Sequence, residues 1–195
     1  QYTCHPLRGS STMPKRKLKT GVTGSDVLKS LNKKKYLLCD DGRCWVYGMM
    51  ATLGTMAVKP KRGLSRADIP SKPELREADR ICQLLYDARP DLYPNVTKAP
   101  DYKGKRGEDD FFGAYGGPDE WLDLSKMFGV SFVLWEPSMM NDSNAKFPYI
   151  HYDGTRRPDI TAEDIQKNIS GLPDNVKVVH MVWNAQLEKH FDVYL

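Results

Sequence analysis

From Cys44 to Met56 the chain is apolar nearly all the way round, with Trp45, Val46, Tyr47, Met49, Met50 and Leu53 leaving little polar face. A helix without a polar stripe has to lie inside a domain, so the other elements must be built around it. A polar turn, Asp40-Asp41-Gly42-Arg43, delivers Cys44 to the start of this segment. There the unpaired backbone N–H groups and the positive end of the helix dipole favour thiolate over thiol, and the thiolate is the reactive form. Gly42 can take backbone angles that other residues avoid, so the N–H groups of Asp41, Gly42 or Arg43, with that of Cys44, are candidates for holding an oxyanion. Gly48, one turn on, predicts either close packing of another element or a narrow passage beside the nucleophile. Cysteine is also a common packing residue, so Cys44 alone does not establish a site.

The run Gln186 to Leu195 contains His190-Phe191-Asp192 in a strand-like alternation. Residues two apart on a strand share a face, so Asp192 can accept a hydrogen bond from one ring nitrogen of His190 and leave the other to take a proton from a thiol. Asn184 and Asp41 are the alternative orienting groups. His151 and His180 fall within strand patterns and read as packing or surface residues.

Three separated segments resemble the ovarian-tumour (OTU) cysteine proteases, most of whose characterised members are deubiquitinases. Asp41-Gly42-Arg43-Cys44 is similar to the family's Asp-Gly-Asn-Cys motif, and Tyr115-Gly116-Gly117-Pro118 through Trp135 to its Trp-Gly-Gly turn, helix and core strand. His190-Phe191-Asp192 is similar to its His-aromatic-Asp/Asn signature. Arg43 and Tyr115 depart from the family's usual Asn and Trp. Order and spacing agree over most of the chain from Leu38 to Leu195.

The resemblance implies an α+β, papain-like OTU fold, with a central, mostly antiparallel sheet packed by helices that include the nucleophile helix. It implies hydrolysis of peptide or isopeptide bonds at the C-terminal Gly of ubiquitin or polyubiquitin, with Cys44 as nucleophile, His190 as base and Asp192 as orienting group. Asp41 completes the expected catalytic set. Gly48, Gly116, Gly117 and Phe191 are expected to shape the channel for a Gly-Gly tail, and the segment 86–113 to contribute to ubiquitin binding by its position. Alternatives are a protease for a ubiquitin-like modifier or a polyprotein, and a catalytically silent ubiquitin-binding module. Arg43 is expected to point outward and pair with Asp40, Glu188 or an acidic substrate surface.

At 195 residues the chain is expected to form one domain with a sizeable core. No run approaches the roughly 18 apolar residues of a membrane span. Residues 1–24, rich in Ser, Thr, Gly and Lys without periodicity, read as a flexible basic arm ahead of a 25–195 protease domain. A chain starting at Gln1 is expected to be part of something longer. Cys4, Cys39, Cys44 and Cys82 are too sparse for a disulfide scaffold, which points to a reducing compartment, cytoplasm or nucleus. Neither a metal nor a cofactor is expected. The net charge of +4 resides in short lysine and arginine clusters balanced by acidic stretches, so they read as solvated surface; no nucleic-acid or membrane partner is expected, and a monomer is.

The remaining elements read as follows. Ser25 caps a short helix bearing Val27, Leu28 and Leu31. Ser71 opens an amphipathic helix with Leu75, Ala78, Cys82 and Leu85 inward. Pro118 to Phe128 is a helix and Val130 to Trp135 a buried strand. Tyr149 to Tyr152 reads as a strand, Thr161 to Ile169 as a capped helix, and Lys177 to Trp183 and Phe191 to Leu195 as the last two strands.

Overall fold

A computed structural model describes residues 21–39, 43–58, 70–90, 118–184 and 190–195. Among these the fold is α+β, with five α-helices and one six-stranded sheet. In chain order the elements are α1 (Gly24–Ser30), β1 (Lys35–Tyr36), α2 (Cys44–Leu53), α3 (Lys72–Ala88), α4 (Pro118–Phe128), β2 (Val130–Trp135), a 3-10 turn (Pro137–Met139), β3 (Lys146–Ile150), β4 (Arg156–Thr161), α5 (Ala162–Ser170), β5 (Lys177–Asn184) and β6 (His190–Tyr194).

The strands lie in the order β1-β6-β5-β2-β3-β4, and every pairing is antiparallel except β2 with β5. Alternation along the central strands divides the core. Phe132, Val179, Met181, Phe191 and Val193 join one cluster with α2, α3 and α4, while Val133, Trp135 and Val182 join another with α1 and α5. The helix predicted to be central is so: Cys44 through Met50 are all buried. It ends at Gly54, whose φ of 79° is the left-handed conformation that closes many helices.

Capping follows the sequence closely at α3 and α5. Glu74 reaches back to the N–H and hydroxyl of Ser71, both at 2.7 Å, and its other oxygen accepts from Ala57 N–H at 2.8 Å, tying the segment after α2 to the start of α3. Thr161 accepts from Asp164 N–H at the start of α5. At α1 the cap is Thr23 rather than Ser25, with Asp26 completing the reciprocal pair. Thr23 and Gly24 are buried, and residues 1–20 of the expected arm lie outside the described residues. The strand expected at Tyr149–Tyr152 is displaced, since β3 stops at Ile150 and His151 enters a turn in which Gly154 N–H donates to its carbonyl. Among the described residues no helix is long and apolar enough to cross a membrane.

Candidate active site

β5 ends and β6 begins beside the first turn of α2, with Asn184 opposite His190 in the sheet register. That corner brings together residues far apart in the chain. Phe191 N–H donates to Cys44 Sγ at 3.4 Å, and Cys44 is close enough to the His190 ring to bias its charge. His190 Nε2 meets Asp192 Oδ1 at 3.1 Å, with both side chains buried. Thiol, imidazole and carboxylate therefore occupy one buried cluster, as the spacing of His190 and Asp192 predicts.

Asp192 has three further partners. Oδ1 also accepts Leu38 N–H at 3.2 Å; Oδ2 takes Asn184 Nδ2 at 3.0 Å and lies 3.1 Å from the half-exposed Lys35 ammonium. A buried carboxylate needs such partners. Burial pushes its pKa up, but the hydrogen bond from His190, the Lys35 charge and the Leu38 N–H outweigh burial and hold it below the usual carboxylate range. For His190, burial works downward, whereas the hydrogen bonds and charges of Asp192 and Cys44 work upward and prevail, pushing the pKa up to about 10. The ring is held as imidazolium beside the Asp192 carboxylate. His180 has the opposite fate. Burial, then the charge of Lys33, pulls it down to about 3, and its Nδ1 accepts from Trp135 Nε1 at 3.2 Å, so it is a neutral core residue.

One sequence expectation needs correction. Arg43 does not point outward: its side chain is 1% exposed and its Nη1 lies 3.2 Å from Asp79 Oδ1 on α3. It occupies the capping position of α2, where its carbonyl accepts the N–H groups of Val46 and Tyr47, and the neighbouring helix supplies a carboxylate that no local sequence pattern announces. Gly48 and Phe191 both lie in packed surroundings. A Cβ on Gly48 would collide with Met181, so this glycine serves close packing of α2 on β5. The Phe191 ring lies edge-on to Trp121 and Trp183, at 5.2 and 5.1 Å between centroids, inside the core.

Asp40, Asp41, Gly42, Gly116, Gly117, Glu188 and nearly all of the 86–113 segment lie outside the described residues. Cys39, Cys44 and Cys82 are buried, and no group of three or more metal-ligating side chains occurs among the described residues. Sequence reasoning missed Lys35, Leu38 N–H and Asp79. Lys35 sits in a lysine run that reads as surface, and a backbone donor has no sequence signature at all.

No family model and no curated protein matches the chain. A crystal structure of an OTU deubiquitinase from Wolbachia pipientis wMel is similar to it, with 14% identity over 84% of this chain and 88% of that chain and a TM-score of 0.40.

Proposed function

We propose that the chain is a cysteine-type deubiquitinase with Cys44 as nucleophile, His190 as general base and acid, and Asp192 as orienting carboxylate. The observation that carries this reading is the convergence of Cys44, His190 and Asp192, from distant parts of the chain, at one corner of the sheet. The OTU-like motifs direct it to ubiquitin, and four cysteines, too sparse for a disulfide scaffold, suit a reducing compartment.

In the proposed reaction Cys44 Sγ adds to the carbonyl of the C-terminal Gly, forming a C–S bond while the carbonyl electrons move to oxygen. Backbone N–H groups at the start of α2 stabilise that oxyanion. As it collapses the C–N bond breaks, and His190 gives its proton to the departing lysine amine. Water then adds to the thioester with His190 taking its proton, and the C–S bond breaks to release the ubiquitin carboxylate and regenerate the thiolate. Asp192 stabilises the imidazolium and fixes the ring.

The test is reaction of the full chain with ubiquitin and ubiquitin-like proteins carrying a C-terminal electrophile. Wild type should form a covalent adduct with the ubiquitin probe and Cys44→Ala none, whereas Cys39→Ala and Cys82→Ala should label normally. An adduct in Cys44→Ala would move the nucleophile elsewhere. Labelling by a ubiquitin-like probe alone would change the substrate.

A further inference from the structure

The ion pair of Arg43 with Asp79 has no place in the proton transfers above, yet it sits one residue from the nucleophile. Arg43 supplies the peptide bond whose nitrogen belongs to Cys44. Its carbonyl starts α2 by accepting from Val46 at 2.8 Å and Tyr47 at 3.0 Å, so the orientation of that peptide also sets the direction of the Cys44 N–H. A donor at the first position of a helix has no partner within the helix. A guanidinium withdrawn from water, here 1% exposed, is held where its carboxylate is, and Asp79 belongs to the 17-residue α3. On either side of Asp79, Ala78, Ile81 and Cys82 are buried in the same core cluster as α2, so the carboxylate rides on a fixed support.

We propose that the Arg43–Asp79 pair is a positioning device that fixes the peptide between Arg43 and Cys44, so that the Cys44 N–H is aimed at the oxyanion that forms when Sγ attacks a carbonyl. The proposal rests on Cys44 being the nucleophile, as read above, but not on ubiquitin being the substrate. Arg43 and Asp79 act through the backbone and touch no reacting atom. Misplacing a single backbone donor is enough to matter, because the stabilisation depends on hydrogen-bonding distance to the developing charge.

Two reactions of Cys44 separate this role from a general effect on the thiolate or on folding. In acylation by p-nitrophenyl acetate, Sγ adds to the ester carbonyl, an oxyanion forms, and p-nitrophenolate leaves with the C–O electron pair. In alkylation by iodoacetamide the C–S bond forms as iodide leaves, and no oxyanion arises. Both rates are followed at Cys44 by peptide mass mapping in the full chain, for wild type, Arg43→Met, Asp79→Asn and Arg43→Lys.

Arg43→Met and Asp79→Asn should slow acylation by about tenfold to a hundredfold. Alkylation should stay within about twofold, and Arg43→Lys, which keeps the charge, should recover part of the acylation rate. The partly exposed Asp79 tolerates its isosteric amide even if Arg43→Met folds poorly, so the pair is tested from either side. Acylation unchanged in Asp79→Asn, acylation and alkylation falling together, or a wild-type acylation rate no faster than that of a free thiol would each overturn the proposal. Hydrolysis of ubiquitin-7-amido-4-methylcoumarin by wild type is read separately. Its absence alongside the expected acylation pattern would remove ubiquitin as substrate and leave the positioning role standing.

Discussion

Phe191 N–H donates to Cys44 Sγ across 3.4 Å, between residues 147 apart in the chain. The donor's position is set by its own side chain, since the ring packs edge-on against Trp121 and Trp183. A hydrogen bond to sulfur is stronger when the sulfur is charged, so the aromatic cluster and the chemistry at Cys44 are mechanically joined.

Truncating that ring should therefore affect two measurements at once. Phe191→Ala is expected to lower unfolding free energy by about 3–5 kcal/mol in chemical denaturation and to slow alkylation of Cys44 in the fraction that stays folded. A stable variant with normal alkylation would show that the packing does not hold the donor.

Removing the thiol should change the imidazole. His190 owes part of its raised pKa, about 10, to Cys44. In Cys44→Ala an NMR titration of His190 should give a midpoint below the wild-type value, with Asp192 keeping part of the elevation. An unchanged midpoint would mean that the carboxylate alone sets it.

The same groups make stability depend on pH. Because His190 is raised from 6.5 to about 10, the stability it contributes is fully present below about pH 6.5 and is lost as pH rises through 10. Asp192 is depressed, so its contribution is present above its usual value of 3.8 and disappears as pH falls through the lower folded value. Urea unfolding of wild type should weaken between pH 6.5 and 10, and Asp192→Asn should flatten that decline. An equally steep decline in the variant would assign it to other groups.

Lys35 is half-exposed, so its link to Asp192 should be modest and sensitive to salt. Lys35→Met is expected to cost less than about 1 kcal/mol of stability and to raise the pKa of Asp192, moving the acid limb of activity to higher pH. Activity at neutral pH should stay within a few fold. An acid limb that does not move would leave Asn184, His190 and Leu38 N–H as sufficient partners.

Gly48 provides a test of packing against passage. An added methyl would fall within contact of Met181 Sδ, 2.8 Å from its Cε and 3.6 Å from Leu38 Cδ1. Gly48→Ala should destabilise by about 1–3 kcal/mol, with KM unchanged in the surviving fold. A stable protein with a raised KM would favour the channel reading.

What the sequence revealed depended on how local the cause was. The apolar circumference of Cys44–Leu53, the start of a helix at Ser71, and the two-residue spacing of His190 and Asp192 are local, and each appears as read. Arg43 was misread because burying a cation is decided by a carboxylate 36 residues away on another helix. β4 went unread because its first four residues, Arg156 to Asp159, are exposed on an edge strand and show neither alternation nor apolar character. Lys35 and Leu38 N–H become partners of Asp192 only when β1 pairs with β6, a register that no pattern within either strand dictates.

β6 is inserted between β5 and β1 and is the last of the described elements to leave the ribosome. Until it docks, a nascent chain has the sulfur but neither the imidazole nor the carboxylate, and its sheet lacks a strand between two waiting edges. Contacts of such sequence separation close late and slowly. Assembly of the Cys44–His190–Asp192 cluster is thereby tied to docking of the last described strand.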